Sequence, residues 1–91
     1  MTGSLAAARG EVESALSSGD AASALARARS LLRLYPRDHA CNLLAARAEL
    51  MLGDTSPAAA RLGEAVLVDP RDPAIRLLLA ACGSDLDGRI A

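Results

Sequence analysis

His39 and Cys41 stand two residues apart, and a second cysteine, Cys82, lies further along the chain. An imidazole near a thiol suggests either a metal site or an activated sulfur nucleophile. Structural zinc takes four nitrogen or sulfur ligands, often with C-x2-C pairs, and these three residues do not supply them. A nucleophile needs a base held by a third group, and His39 has no orienting partner evident in its neighbourhood. Paired carboxylates occur at Glu11 with Glu13 and at Asp85 with Asp87; the first reads as a solvated helix face, the second as a polar tail. Arg27, Arg29, Arg33 and Arg37 form a basic stretch, yet the net charge is -1 and Tyr35 is the sole aromatic. Phosphate tracking requires basic surface not offset by acids, and single-stranded bases stack on aromatics. The expectation is therefore no catalytic residue, no metal and no cofactor, and neither a nucleic-acid nor a membrane partner. The arginines read as a solvated face with stems laid over apolar surface.

Elements that could position such residues are constrained by composition. The 91 residues include 21 Ala and 16 Leu, with no Phe or Trp. Ala and Leu favour helices, while the aromatic and β-branched residues that strands prefer are scarce. A chain of this length buries only about 60 to 65% of its unfolded surface, so the core is thin. The opening "MTGSLAAARG" lacks the basic segment and long apolar run of a secretory signal. The longest apolar stretch, Leu77 to Cys82, is far shorter than the roughly 20 residues that cross a bilayer. A soluble, cytoplasmic protein with two reduced thiols is expected.

The chain repeats itself at an interval of 34 residues. Gly19-Asp20 returns as Gly53-Asp54, and Pro36-Arg37-Asp38 returns as Pro70-Arg71-Asp72. The same shift aligns Ala6 with Ala40, Leu16 with Leu50, Ala24 with Ala58, Ala26 with Ala60 and Arg27 with Arg61. A third copy begins with Ala74, Leu77, Leu78 and Ala80, and stops at Gly83. Glycine suits the left-handed residue that closes a helix, so Gly19, Gly53 and Gly83 mark C-terminal ends. Asp20, Asp38 and Asp72 fit as N-caps, and either Asp54 or Ser56 takes that place in the second copy, the latter with Pro57 as first helical residue. Pro36 and Pro70 stop the helices before them. Five helices result, at about 5–18, 21–35, 39–52, 57–68 and 73–82, joined by turns so short that neighbours run antiparallel. In the second, Leu25, Ala28, Leu31 and Leu32 form one apolar stripe; the third is apolar on more of its surface and reads as flanked on both sides.

A 34-residue helical hairpin with Gly-Asp at its turn and Pro near its end resembles the tetratricopeptide repeat. The small residues Ala24, Ala58, Ala46, Ala80 and Ala65 fall where that family packs helices closely. The family's large aromatics are replaced, by Ala8, Asn42 and Arg76 at one position, by Ala15, Glu49 and Gly83 at a second, and by Ala28 and Leu62 at a third. The resemblance implies an all-α, right-handed superhelical stack of antiparallel hairpins over 5–83. Its first repeat is 5–38, its second 39–72 and its partial third 73–83, between a disordered 1–4 and a flexible tail at 84–91. It also implies a non-enzymatic protein-interaction module with a protein or peptide partner docked in a concave groove. The groove positions are Ala6, Arg9, Glu13, Leu16 and Ser17, then Ala40, Leu43, Arg47, Leu50 and Met51, with Ala74, Leu77 and Ala81 in the partial copy. Stacks end in polar caps, whereas the last helix offers Ile75, Leu77, Leu78 and Leu79; self-association into a homo-oligomer, or membership of a larger chain, is expected there. A small chaperone holding a secreted or assembling subunit is the alternative within binding, and an RNA-binding helical repeat is the alternative from another class.

Overall fold

The structure, a computed structural model, describes the backbone of residues 4–90 and the side chains of residues 5–82. It holds five helices: α1 (Ser4–Ser17), α2 (Ala21–Leu34), α3 (His39–Met51), α4 (Thr55–Val68) and α5 (Pro73–Ile90). No strand occurs among the described residues. Consecutive helices pack against each other, and α3 also touches both α1 and α5. The chain is thus a stack of helical hairpins in which α1, α3 and α5 lie side by side, with α2 and α4 behind them.

The two Gly-Asp turns are built alike. Gly19 and Gly53 have φ of 84° and 85°. Each donates to the carbonyl three residues back, Leu16 and Leu50, while the following Asp20 and Asp54 donate to Ala15 and Glu49 at 2.9 and 2.8 Å. These paired bonds satisfy helix-end carbonyls that would otherwise lack partners, and they require a left-handed residue at the glycine. The prolines act as expected, since α2 and α4 close on Tyr35 and Asp69, the residues immediately before Pro36 and Pro70.

Capping keeps the same interval with one exception. The carboxylates of Asp20 and Asp38 accept from the amides of Ser23 and Cys41, the third residue of each helix, and Asp72 accepts from Ala74. Asp54 holds the cap position of α4 but makes no such bond. The third residue of α4 is Pro57, which has no N–H to give. The Ser56 alternative is thereby corrected: α4 begins at Thr55, and Pro57 sits in the third place, where an intrahelical donor is still not required.

Two further expectations change. Gly83 lies inside α5, which runs on to Ile90, so the helix does not stop at 82. Glycine permits a left-handed stop without imposing one; mid-helix it costs about 1 kcal/mol relative to alanine. At the other end Ser4 already belongs to α1. Residues 1–3, Ala91 and the side chains of the Asp85 and Asp87 pair fall outside the described residues.

Two apolar cores result. Val12, Leu16, Ala24, Leu25, Ala28, Leu44, Ala45 and Ala48 fill the space between α1, α2 and α3. Ala46, Ala58, Leu62 and Cys82, with Leu43, Leu50, Leu78 and Leu79 beside them, join α3 to α4 and α5. The third helix belongs to both, as its wide apolar surface implied.

Gly53→Val is expected to cost about 1–2 kcal/mol, because a residue with a Cβ resists the left-handed conformation. No atom lies within 4 Å of the added Cβ, so the loss is conformational and not steric. Denaturant unfolding checks it, and an unchanged midpoint would contradict the turn assignment.

Candidate functional site

On the face shared by α1, α3 and α5 lies an open cleft of about 330 Å³. Ala6, Arg9 and Glu13 line it from α1, Ala40, Leu43, Leu44 and Arg47 from α3, and Ala74 and Leu78 from α5. The residues come together because three helices side by side present the same register position at each 34-residue step. Ala6, Ala40 and Ala74 form one such row, and their side chains end at Cβ. Apolar walls with a few polar groups at such a volume suit a bound side chain.

Six of the residues expected in the groove line this cleft: Ala6, Arg9, Glu13, Ala40, Leu43 and Arg47. Ala74 joins them from the partial copy. Leu16 does not; it is 5% exposed inside the first core, drawn there by α2. Leu50 packs half-buried on the second core. Met51, Ser17 and Ala81 are exposed outside the cleft. Of the four residues expected at the open end, Ile75 is fully buried and Leu78 and Leu79 pack on the second core, leaving Leu77, 73% exposed. The rotation of α5 was readable, since Ile75, Leu78, Leu79 and Cys82 keep the spacing of three, four and seven that marks a single inward stripe.

The residues that could do chemistry are tied into the packing. Cys41 and Cys82 are both buried and are thiols rather than a disulfide. Burial, with the Asp38 carboxylate beside it, pushes the Cys41 thiol up to about 12, so it stays protonated at neutral pH. His39 is half-buried and does have a partner: its Nε2 meets Asp72 Oδ2 at 2.8 Å. The spacing of His39 and Cys41 therefore does not make a pair; each meets a different carboxylate. His39, Asp69 and Asp72 bring ligand-type atoms within 4.8 Å of one another. Asp72 is spent on His39 and on the Ala74 amide, bonds that hold its carboxyl below the ordinary 3.8. The cluster clasps the start of α3 to the α4–α5 connection. Asp38 is likewise low: burial works to raise it, but its bonds from Cys41 and the nearby Arg9 and His39 outweigh that.

A family model described as tetratricopeptide repeat matches residues 15–82. The chain belongs to the tetratricopeptide repeat family. No curated protein and no solved structure matches it. Proteins of the tetratricopeptide repeat family generally serve as non-enzymatic interaction scaffolds.

One departure from the tetratricopeptide repeat pattern carries an energetic consequence. Glu49 occupies a position the family fills with a large residue, and it is fully buried. Its Oε1 accepts from Arg61 Nε at 2.9 Å, while Oε2 is buried without a hydrogen-bond partner. One repeat earlier Arg27 donates to Glu11 instead, at 3.0 Å and in the open. The recurrence of arginine at 27 and 61 was the available signal that each needs an acid on the preceding helix. Removing one partner of a buried pair leaves a charge without compensation, whereas replacing both by apolar residues is often neutral or better. Arg61 is 26% exposed at its side chain, which tempers the penalty. Arg61→Ala is expected to lose roughly 2–3 kcal/mol in urea unfolding, while Glu49→Leu with Arg61→Leu stays within about 1 kcal/mol of the parent or above it. Equal stability of Arg61→Ala and the parent would contradict this.

Proposed function

We propose that the chain is a protein-interaction module that receives a segment of a partner protein on the face made by α1, α3 and α5. The observation that carries this reading is the cleft itself: one mainly apolar depression lined by all three helices, with Ala6, Ala40 and Ala74 among its lining. Large residues at those positions would narrow it. A protein partner is favoured over RNA because Arg27, in the basic stretch of α2, is engaged by Glu11 and Tyr35 is the only Phe, Tyr or Trp in the sequence. No helix is long and apolar enough to cross a membrane among the described residues. A small chaperone holding an apolar stretch of another subunit is one form this module can take, since it needs the same apolar lining.

Filling the cleft from its lining tests the reading. Peptides selected against the intact chain from a random display library are expected to bind Ala40→Trp at least about tenfold more weakly, a change of about 1.4 kcal/mol. Ala26→Trp, on an exposed stretch of α2, should leave binding unchanged. Selected peptides that bind Ala40→Trp as tightly as the parent would place the interaction elsewhere and contradict the proposal.

A further inference from the structure

We infer that the segment received on this face is acidic as well as apolar, with a carboxylate set against Arg47 and Arg9 and an apolar side chain over α5; this rests on the groove reading. The cleft's charged groups are Arg9, Glu13 and Arg47, two cations against one acid. Arg47 is exposed and makes no ion pair or hydrogen bond among the described residues, unlike Arg27 and Arg61 on the hairpins' second helices. Arg9 has only a loose contact with Asp38, at 3.9 Å, and that carboxylate is already committed to the Cys41 amide at 2.9 Å. Among the described residues Arg47 is thus without a partner and Arg9 is only loosely paired. An approaching segment strips water from both, and a carboxylate restores the lost bonds in the planar two-point geometry that arginine favours. A neutral or basic segment leaves them dry and unpaired.

The charges also fix a direction. They lie on α1 and α3, whereas α5 lines the cleft with Ala74 and Leu78. The carboxylate end of the partner accordingly lies over α1 and α3 and its apolar end over α5. Neighbouring helix axes sit about 8–10 Å apart, which sets the distance between the two groups. A helical segment meets that spacing with residues seven apart, about 10.5 Å along its axis.

The test uses the display-selected peptides and reads a second property of them. Asp or Glu should be enriched beside an apolar residue. Arg47→Glu should weaken those peptides about five- to tenfold and turn the selection toward Lys and Arg, and added salt should weaken binding to the parent. Replacing the peptide carboxylate by its amide should cost a similar factor on the parent, whereas on Arg47→Glu it should weaken binding no further and recover part of it, since it removes a like-charge contact. Peptides that lose binding to Ala40→Trp yet carry no acid, or bind Arg47→Glu as tightly as the parent, overturn this inference and leave the groove reading standing. Peptides indifferent to Ala40→Trp overturn both.

Discussion

Close contact through alanine is the constraint on which the stack depends. Half of the buried apolar residues among those described are alanines, including Ala24, Ala28, Ala45, Ala46, Ala48 and Ala58, none with exposed surface. Each gives little apolar area, so the hydrophobic return per residue is modest. Alanine contributes proximity instead: two helices can approach until their backbones nearly touch. The aromatic residues absent from this chain would have held the helices apart. Their replacement produces a thinner core in which α3 contacts every other helix.

The same smallness makes the candidate site. Where alanine faces another helix it draws the two together; where it faces outward, at Ala6, Ala40 and Ala74, it leaves a depression. Depth, register and charge all derive from the 34-residue interval, because each hairpin adds one row to the face. Differences between the copies then give that face its direction, with Arg9 and Glu13 on α1, Leu43 and Arg47 on α3, and apolar residues on α5. The buried Glu49–Arg61 pair works behind the face, on the hairpin that joins the two cores.

Features legible in the sequence were those decided locally. Gly19 and Gly53 announce their turns because only glycine accepts a φ near 84° without strain, and Asp20 and Asp38 announce caps because an amide three residues on is free to meet them. Asp54 failed as a side-chain cap for a reason equally local, the proline at Pro57. That Ala6, Ala40 and Ala74 share a face was readable through the register, since equivalent positions on side-by-side helices do so. Features decided at a distance were harder to read. Burial of Glu49 depends on an arginine twelve residues later on another helix, and the engagement of His39 depends on Asp72 across the next hairpin. Gly83 could end a helix or sit within one, because glycine only permits the turn, and the residues after it decide between the two. Leu16 was claimed by the core once α2 folded over it.

The stack, and with it the cleft, exists only if the helices approach through alanine. Ala46 lies where α3 meets both α4 and α5 and has no exposed surface. Thermal unfolding of Ala46→Leu measures this dependence directly. A lower melting temperature, equivalent to about 1–3 kcal/mol of overpacking, is predicted even though the substitution adds apolar area. An unchanged or higher melting temperature would mean that the helices are not closely packed there, and would contradict the dependence on alanine.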